Sequence, residues 1–295
     1  MTSSKRAGFL YWRIRGLYVI LGLMGGVKMD YKLIAIDMDG TLLNSKKEIS
    51  IRTFQAIQRA KEKGVNVVLA TGRLLKSAEL FAENLNLNSH ILACNGAIII
   101  DGSKNVVYNN PLDLTTVSKI MEIGRKHQVY YHFYDERCFY SNTYVKEIVD
   151  YYSGRDQKID IHIIEDNIDI LKILDINIYK FLFIENNTNK LEKLREDIIQ
   201  LDMISTTKSW INNLEVMDRG VSKGAGLKIL CDKLNIPSED IIAIGDNEND
   251  LSMINFAGLG VSMGNGTELV KKEADYITLT NDEDGVAHII EKFIL

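Results

Sequence analysis

From about residue 29 to the end of the chain, short apolar runs alternate with stretches in which apolar residues return every third or fourth position. Runs of the first kind read as buried strands and stretches of the second as amphipathic helices, so the alternation predicts an α/β fold. The first run, Leu33-Ile34-Ala35-Ile36, leads into the turn segment Asp37-Met38-Asp39-Gly40-Thr41. Ser50 then stands as an N-cap, Ile51, Phe54, Ile57 and Ala60 recur at helical spacing, and Gly64 closes that helix. A second run at 65–70 ends in Thr71-Gly72-Arg73, a helix follows through Leu87, and a short strand at 91–94 ends in Asn95-Gly96. Runs at 97–101 and 106–108 flank Gly102-Ser103-Lys104-Asn105 and predict a hairpin.

The pattern changes between about 111 and 213, a stretch rich in Tyr, Ile and Asn and poor in Gly. Runs at 129–134 and 138–140 bracket a polar turn, 176–184 reads as a strand, and 189–200 as a helix with Leu191, Leu194 and Ile198 on one face. This order predicts a separate α+β unit inserted in the chain. Gly-rich α/β patterning then resumes. Ser222 caps a helix containing Leu227, Ile229, Leu230 and Leu234, and a buried strand at 241–244 ends in Gly245-Asp246-Asn247-Glu248-Asn249-Asp250. Strands at 259–263 and 276–278 and a helix at 286–294 complete the chain. The expected organisation is a discontinuous core, 29–112 and 214–295, interrupted by an α+β cap at 113–213.

At 295 residues the chain has room for two domains, and 46% hydrophobic with 25% charged residues is ordinary for a globular protein. A formal charge of −5 argues against nucleic acid as a partner. Cys94, Cys138 and Cys231 are far apart and odd in number, offering neither a disulfide framework nor zinc spacing, so a reducing, cytoplasmic setting is expected. The first 28 residues carry Lys5, Arg6, Arg13, Arg15 and Lys28 and no acid. Their apolar stretch at 17–24 is too short to span a bilayer. A non-structural extension is expected there, with at most a weak membrane contact.

Asp37 and Asp39 stand at the carboxyl end of a predicted parallel strand, where open α/β sheets place their chemistry. Two carboxylates so close would repel in a dry cleft unless a cation sits between them, and a hard divalent ion such as Mg²⁺ suits oxygen ligands. Thr71 and the Asp246/Asp250 pair end two further parallel strands, and Lys223 opens a helix between them in sequence. In a parallel sheet such strand ends lie side by side, so these groups converge. Their types match phosphoryl transfer. One carboxylate attacks phosphorus and a second moves the proton; Mg²⁺ and a Lys offset charge, while a Thr hydroxyl and backbone N–H groups orient the oxygens.

The ordered set Asp37-Met38-Asp39-Gly40-Thr41, Thr71-Gly72-Arg73, Lys223 and Gly245-Asp246-x-x-Asn249-Asp250 resembles the four motifs of the haloacid dehalogenase (HAD) superfamily. Asn95-Gly96-Ala97, Gly220-Val221-Ser222-Lys223-Gly224, Gly258-Leu259-Gly260-Val261-Ser262-Met263-Gly264-Asn265 and Asp284-Gly285-Val286-Ala287 resemble segments of its subclass IIB, the Cof-type phosphatases. The resemblance implies a Rossmann-like parallel-sheet core with an inserted α+β cap. It also implies a Mg²⁺-dependent phosphatase that hydrolyses a small phosphorylated metabolite (a sugar phosphate, a flavin-type phosphate or pyridoxal phosphate) through an aspartyl-phosphate. By the same resemblance Asp37 is the nucleophile, Asp39 the general acid/base and Lys223 the third catalytic group. The metal set is the Asp37 side chain, the Asp39 backbone carbonyl and Asp246, with Asp250 in support. The Met38 backbone N–H, Thr71, Gly72, Lys223 and Asn249 hold the phosphoryl group.

Two other functions stay open. A sugar phosphomutase would need a second basic cluster in the cap, for which Arg125, Arg137, Arg155 and Lys180 are candidates. A non-catalytic phosphometabolite-binding regulator would use the basic N-terminus. Arg73 has two readings, as a substrate contact or as the partner of a core carboxylate. Asn95 is expected to shape the turn before Gly96. The aromatic run at 130–134 reads as sheet core rather than a substrate cage, and His90, His127, His132, His162 and His288 show no metal-ligand spacing.

Overall fold

The computed structural model describes residues 30–295 apart from 156–158, 166–168, 170 and 172–174, and, before them, the backbone of short strands between Ser4 and Tyr18. Met1–Asp30 and Tyr31–Leu295 are two compact units. In the first, Ser4–Arg6 pairs with Phe9–Tyr11 and Arg13–Ile14 with Leu17–Tyr18, both antiparallel. The rest of 1–28, and with it the expectation of a non-structural extension, lies outside the described residues. Element labels below start at Tyr31.

The first of two sheets in the second unit has eight strands. Its centre is β1 (Leu33–Ile36), with β2 (Asn66–Ala70) and β3 (Ile91–Ala93) on one side. Beyond β3 a hairpin of β4 (Ile98–Ile100) and β5 (Val106–Asn109) runs antiparallel. On the other side stand β12 (Ile241–Gly245), β13 (Leu259–Ser262) and β14 (Tyr276–Ile277). From β14 through β3 every pairing is parallel. β1 is buried throughout, as a parallel strand covered on both faces must be. Ile34 and Ile36 pack with Ile57 of α1 (Ile51–Glu62), Ala78 of α2 (Leu75–Asn84) and Ile289 of α9 (Gly285–Phe293). Leu33 and Ala35 pack with Leu227 and Leu230 of α6 (Lys223–Leu234) and Met253 of α7 (Leu251–Phe256). The period-two alternation of β1 thus feeds two opposite helical layers.

The inserted stretch forms a six-stranded sheet, in the order β8 (Asp160–Ile163), β7 (Cys138–Ser141), β6 (Tyr130–Tyr134), β9 (Lys180–Ile184), β11 (Asn213–Asp218) and β10 (Ile204–Thr207). Its pairings are antiparallel except β7 with β8. One face packs Tyr131, Phe133, Phe181 and Phe183 against α3 (Leu114–His127) and α5 (Thr188–Ile198). The Phe133 and Phe181 rings lie 4.7 Å apart between centroids, so the aromatic run is sheet core as expected. The opposite face, with Tyr134, Leu182 and Met217, belongs to the same apolar cluster as the first sheet.

Three expected boundaries move. The return from the insert was expected at 214, but β11 stays in the second sheet through Asp218. Asn213-Leu214-Glu215-Val216 alternates polar and apolar as a strand does, but Glu215 on its polar side is buried. The strand expected from 176 begins at Lys180, and the helix expected through Leu87 ends at Asn84. Helix α3, not assigned from the sequence, is capped by Asp113, whose carboxylate accepts from the Thr115 and Thr116 N–H groups. Among the described residues no helix is long and apolar enough to cross a membrane.

Candidate active site

β12, β1 and β2 are neighbours, so the residues that follow them share one edge of the sheet. The Asp37 N–H still donates to the Ile244 carbonyl (3.0 Å), and the Thr71 N–H to Leu92 (2.8 Å). After Asp37 the chain turns sharply, with Leu42 N–H bonded to the Asp37 carbonyl (3.1 Å) and Leu43 N–H to that of Met38 (2.9 Å). Gly40 allows this turn. Its φ is +83°, and a Cβ there would lie 2.5 Å from Asp246 Oδ2.

Lys223, the first residue of α6, is fully buried and its ammonium bridges two carboxylates, Asp37 Oδ1 and Asp250 Oδ1, each at 2.5 Å. Asp250 is fixed from its other oxygen, which accepts the N–H groups of Asp246 (2.8 Å) and Asn247 (3.0 Å). Asp246 accepts the Thr41 hydroxyl (3.3 Å) and the Asn247 amide (3.0 Å). One oxygen from each of Asp37, Asp246 and Asp250 lies within 4.8 Å of the others.

Three buried carboxylates around one ammonium are short of positive charge. Burial, reinforced by Asp250, raises Asp37 from 3.8 to about 7 despite Lys223. Burial together with Asp37 and Asp250 raises Asp246 to about 9. Burial would lower the Lys223 ammonium, but Asp250 and Asp37 outweigh it and raise its pKa. An all-oxygen donor set with excess negative charge fits a hard divalent cation such as Mg²⁺.

Asp39 sits apart from this trio. Arg73 grips it with Nε on Oδ2 and Nη2 on Oδ1, both at 2.7 Å, and Lys47 Nζ approaches to 3.4 Å. Arg73 is buried, with its guanidinium carbon 4.7 Å from the Phe81 ring centre, so the carboxylate-pairing reading describes it. Thr71 Oγ1 accepts the Arg73 N–H (3.1 Å). Asn95 does shape its turn, at φ +58°, and also donates to Glu215 Oε2 (2.7 Å). Asn249 reaches Asn95 Oδ1 at 3.4 Å.

All of these line or adjoin a cavity of about 400 Å³ between the two sheets, walled on the insert side by Tyr134, Leu182 and Trp210. Trp210, 61% exposed at its rim, was not singled out from sequence, nor was Glu215. An exposed Trp beside Asn212 and Asn213 is the signal that could have found the loop. Of the cap cations, Arg125 and Arg137 are exposed and do not line the cavity, and the Arg155 side chain lies outside the described residues. Lys180 lines the cavity, paired with Glu215 at 2.9 Å.

A parallel sheet with a carboxylate cluster at its strand ends and an inserted α+β unit above them defines a HAD-type hydrolase. Residues 34–290 match the family model for haloacid dehalogenase-like hydrolases. A Bacillus subtilis protein, the 5-amino-6-(5-phospho-D-ribitylamino)uracil phosphatase YcsE, is 36% identical over 267 residues, spanning 90% of this chain and 97% of that one. Phosphatase YwpJ of the same organism is 31% identical, over 89% of this chain and all of its own length. Among solved structures, a haloacid dehalogenase-like hydrolase from B. subtilis superposes with a TM-score of 0.83 at 31% identity, covering 89% of this chain and 100% of that one. The chain belongs to the haloacid dehalogenase-like hydrolases, and it is an enzyme of the phosphatase type.

Proposed function

We propose that this enzyme hydrolyses a small phosphorylated metabolite, with Mg²⁺ as cofactor and Asp37 as the covalent nucleophile. The observation that carries the reading is the trio Asp37, Asp246 and Asp250 closed around one buried ammonium. Asp37, Asp246 and the Asp39 backbone carbonyl would hold the cation, with Asp250 in support. When bound, it supplies positive charge that keeps the carboxylates ionised and offsets charge on the phosphoryl oxygens.

With Lys223 on Asp37 Oδ1, the second oxygen of Asp37 attacks phosphorus. The ester P–O bond breaks, and Asp39 gives its proton to the leaving oxygen. Asp39 then takes a proton from water, whose oxygen attacks phosphorus and releases phosphate with a free Asp37 carboxylate. Arg73 holds Asp39 as a carboxylate beside the site, and Asp39 leaves that grip to carry the proton. The Met38 and Gly72 N–H groups, Thr71, Lys223 and Asn249 hold the phosphoryl oxygens.

The cavity favours a substrate with a single phosphate. Its described cationic residues are Arg73 and Lys180, and each is already paired with a carboxylate. Among the described residues, that leaves the phosphomutase reading without a second phosphate grip. Trp210, Leu182 and Tyr134 suit an uncharged leaving group with an apolar face, which a flavin-type precursor such as the YcsE substrate possesses. The free thiols of Cys94, Cys138 and Cys231 accord with a cytoplasmic enzyme. A panel of phosphorylated metabolites with p-nitrophenyl phosphate, scored for phosphate release with Mg²⁺ and with chelator, tests the proposal. Mg²⁺-dependent release is expected, and silence across the panel would refute it.

A further inference from the structure

Two side chains of the inserted sheet reach down into the loops that the proposed mechanism uses for the phosphoryl group. Lys180 on β9 and Glu215 on β11 are both buried, and they meet across adjacent strands at 2.9 Å. Lys180 Nζ also donates to the Gly72 carbonyl at 2.5 Å. That carbonyl shares a peptide plane with the Arg73 N–H, which donates to Thr71 Oγ1. The plane is therefore held at both ends. Because Thr71 Oγ1 accepts at this point, its own proton is left to donate to another acceptor.

Glu215 acts on the neighbouring loop. An ionised carboxylate only accepts, so its contact with Asn95 (2.7 Å) fixes which end of the Asn95 amide is NH₂. The amide oxygen then faces Asn249 Nδ2. Burial would raise the Glu215 pKa, but Lys180, with help from Asn95 and Ser209, holds it below the usual carboxylate value. Gly72 is glycine for the same reason. A Cβ there would meet Asn95 Oδ1 at 3.0 Å, Lys180 Nζ at 3.3 Å and Glu215 Oε1 at 3.5 Å.

We propose that Lys180 and Glu215 are positioning residues for phosphoryl transfer, a buried clamp from the insert that orients Thr71 and the Gly72 peptide on one side and Asn249 on the other. The cradle is complete only when the inserted sheet is seated on the core, which ties seating to turnover. This rests on the phosphatase mechanism proposed above.

The test uses the full chain with Mg²⁺ and p-nitrophenyl phosphate, whose small leaving group asks little of the rest of the insert. The variants are Lys180→Met, Glu215→Gln, their double, and Lys180→Arg. Near-UV circular dichroism reports folding, and inhibition by inorganic phosphate reports the cradle directly. In folded Lys180→Met and in the double variant, kcat and kcat/KM should fall together by roughly 10- to 100-fold, the effect of a misplaced reacting group. Phosphate inhibition should weaken in parallel. Lys180→Arg keeps the charge opposite Glu215 but cannot set a single ammonium on the Gly72 carbonyl. It should fold like wild type yet still lose kcat, and it decides the matter even where a neutral variant misfolds. Full kcat and unchanged phosphate inhibition in folded Lys180→Arg would overturn the clamp. A wild-type enzyme that turns over no phosphate ester would instead overturn the mechanism beneath it.

Discussion

Replacing Lys223 by Met removes the ammonium that bridges Asp37 and Asp250 while keeping the length of the side chain. Lys223 is 0% exposed, and the side chains of Asp37 and Asp250 are 7% and 1% exposed, so solvent cannot take over its role. Breaking a buried ion pair from one side costs about 3–5 kcal/mol, because the partner charges remain buried and uncompensated. For a chain of this size each kcal/mol lowers Tm by about 2–4 °C, so metal-free Lys223→Met should melt roughly 6 to 20 °C below wild type. The deficit should shrink at mildly acidic pH, where Asp37 takes up a proton, and on adding Mg²⁺, which supplies the missing charge. Activity should fall by about 10²–10³-fold or more, the cost of losing one preorganised contact to the transition state. Thermal melts by circular dichroism, with and without Mg²⁺, and steady-state kinetics are the assays. Lys228→Met, on the same helix but exposed and paired only with Asp232, is the control and should shift Tm by no more than about 2 °C. If Lys223→Met melted alongside that control and kept most of its kcat, the charge argument would be wrong.

Other outcomes follow from the same geometry. Asp37 and Asp246 have pKa values raised from 3.8 to about 7 and about 9, so folding favours their protonated forms. The metal-free enzyme should therefore lose stability as pH rises through that window, and the Tm gain from Mg²⁺ should grow with pH; a gain that is the same at acidic and alkaline pH would contradict this. Gly40→Ala would combine an unfavourable φ of +83° with a Cβ 2.5 Å from Asp246 Oδ2. It should weaken Mg²⁺ binding by at least about tenfold in titration calorimetry, on the scale of a perturbed metal ligand support. Arg73→Met frees the Asp39 side chain from its bidentate partner and should lower kcat by roughly 10- to 100-fold, while the Mg²⁺ affinity, which rests on the Asp37 and Asp246 side chains and the Asp39 backbone carbonyl, stays near wild type.

What could be read from sequence divides along physical lines. Asp37, Thr71 and Asp246 were legible because each ends a short apolar strand, and parallel pairing of β12, β1 and β2 brings those ends together. Lys223 was legible through its unfavourable place at the start of a helix, which asks for an anion nearby. The geometry brings Lys223 to Asp37 and Asp250, whereas Asp39 turns outward to Arg73, a choice of partner that spacing could not make. Glu215 escaped notice, and Lys180 was considered only as a phosphate-gripping cation, because their contact crosses two strands and depends on how the insert seats on Gly72 and Asn95. The return from the insert was expected at 214 for a related reason: the burial of Glu215 against Lys180 is a tertiary contact that the stretch Leu214-Glu215-Val216-Met217 does not announce. Helix α3 was within reach, since Asp113 followed by Val117, Ile120 and Met121 is a capped amphipathic pattern.

The central claim is that Asp37 takes the phosphoryl group onto its own carboxylate. The most direct measurement is a rapid acid quench during turnover, followed by mass spectrometry of the peptide that carries Asp37. The account predicts a phosphoryl adduct on Asp37, present with substrate and Mg²⁺, absent from Asp37→Asn, and more abundant in Asp39→Asn, where the second half-reaction is slowed. An active enzyme that shows no adduct at Asp37 in either wild type or Asp39→Asn, or an Asp37→Asn variant that keeps most of its turnover, would contradict it.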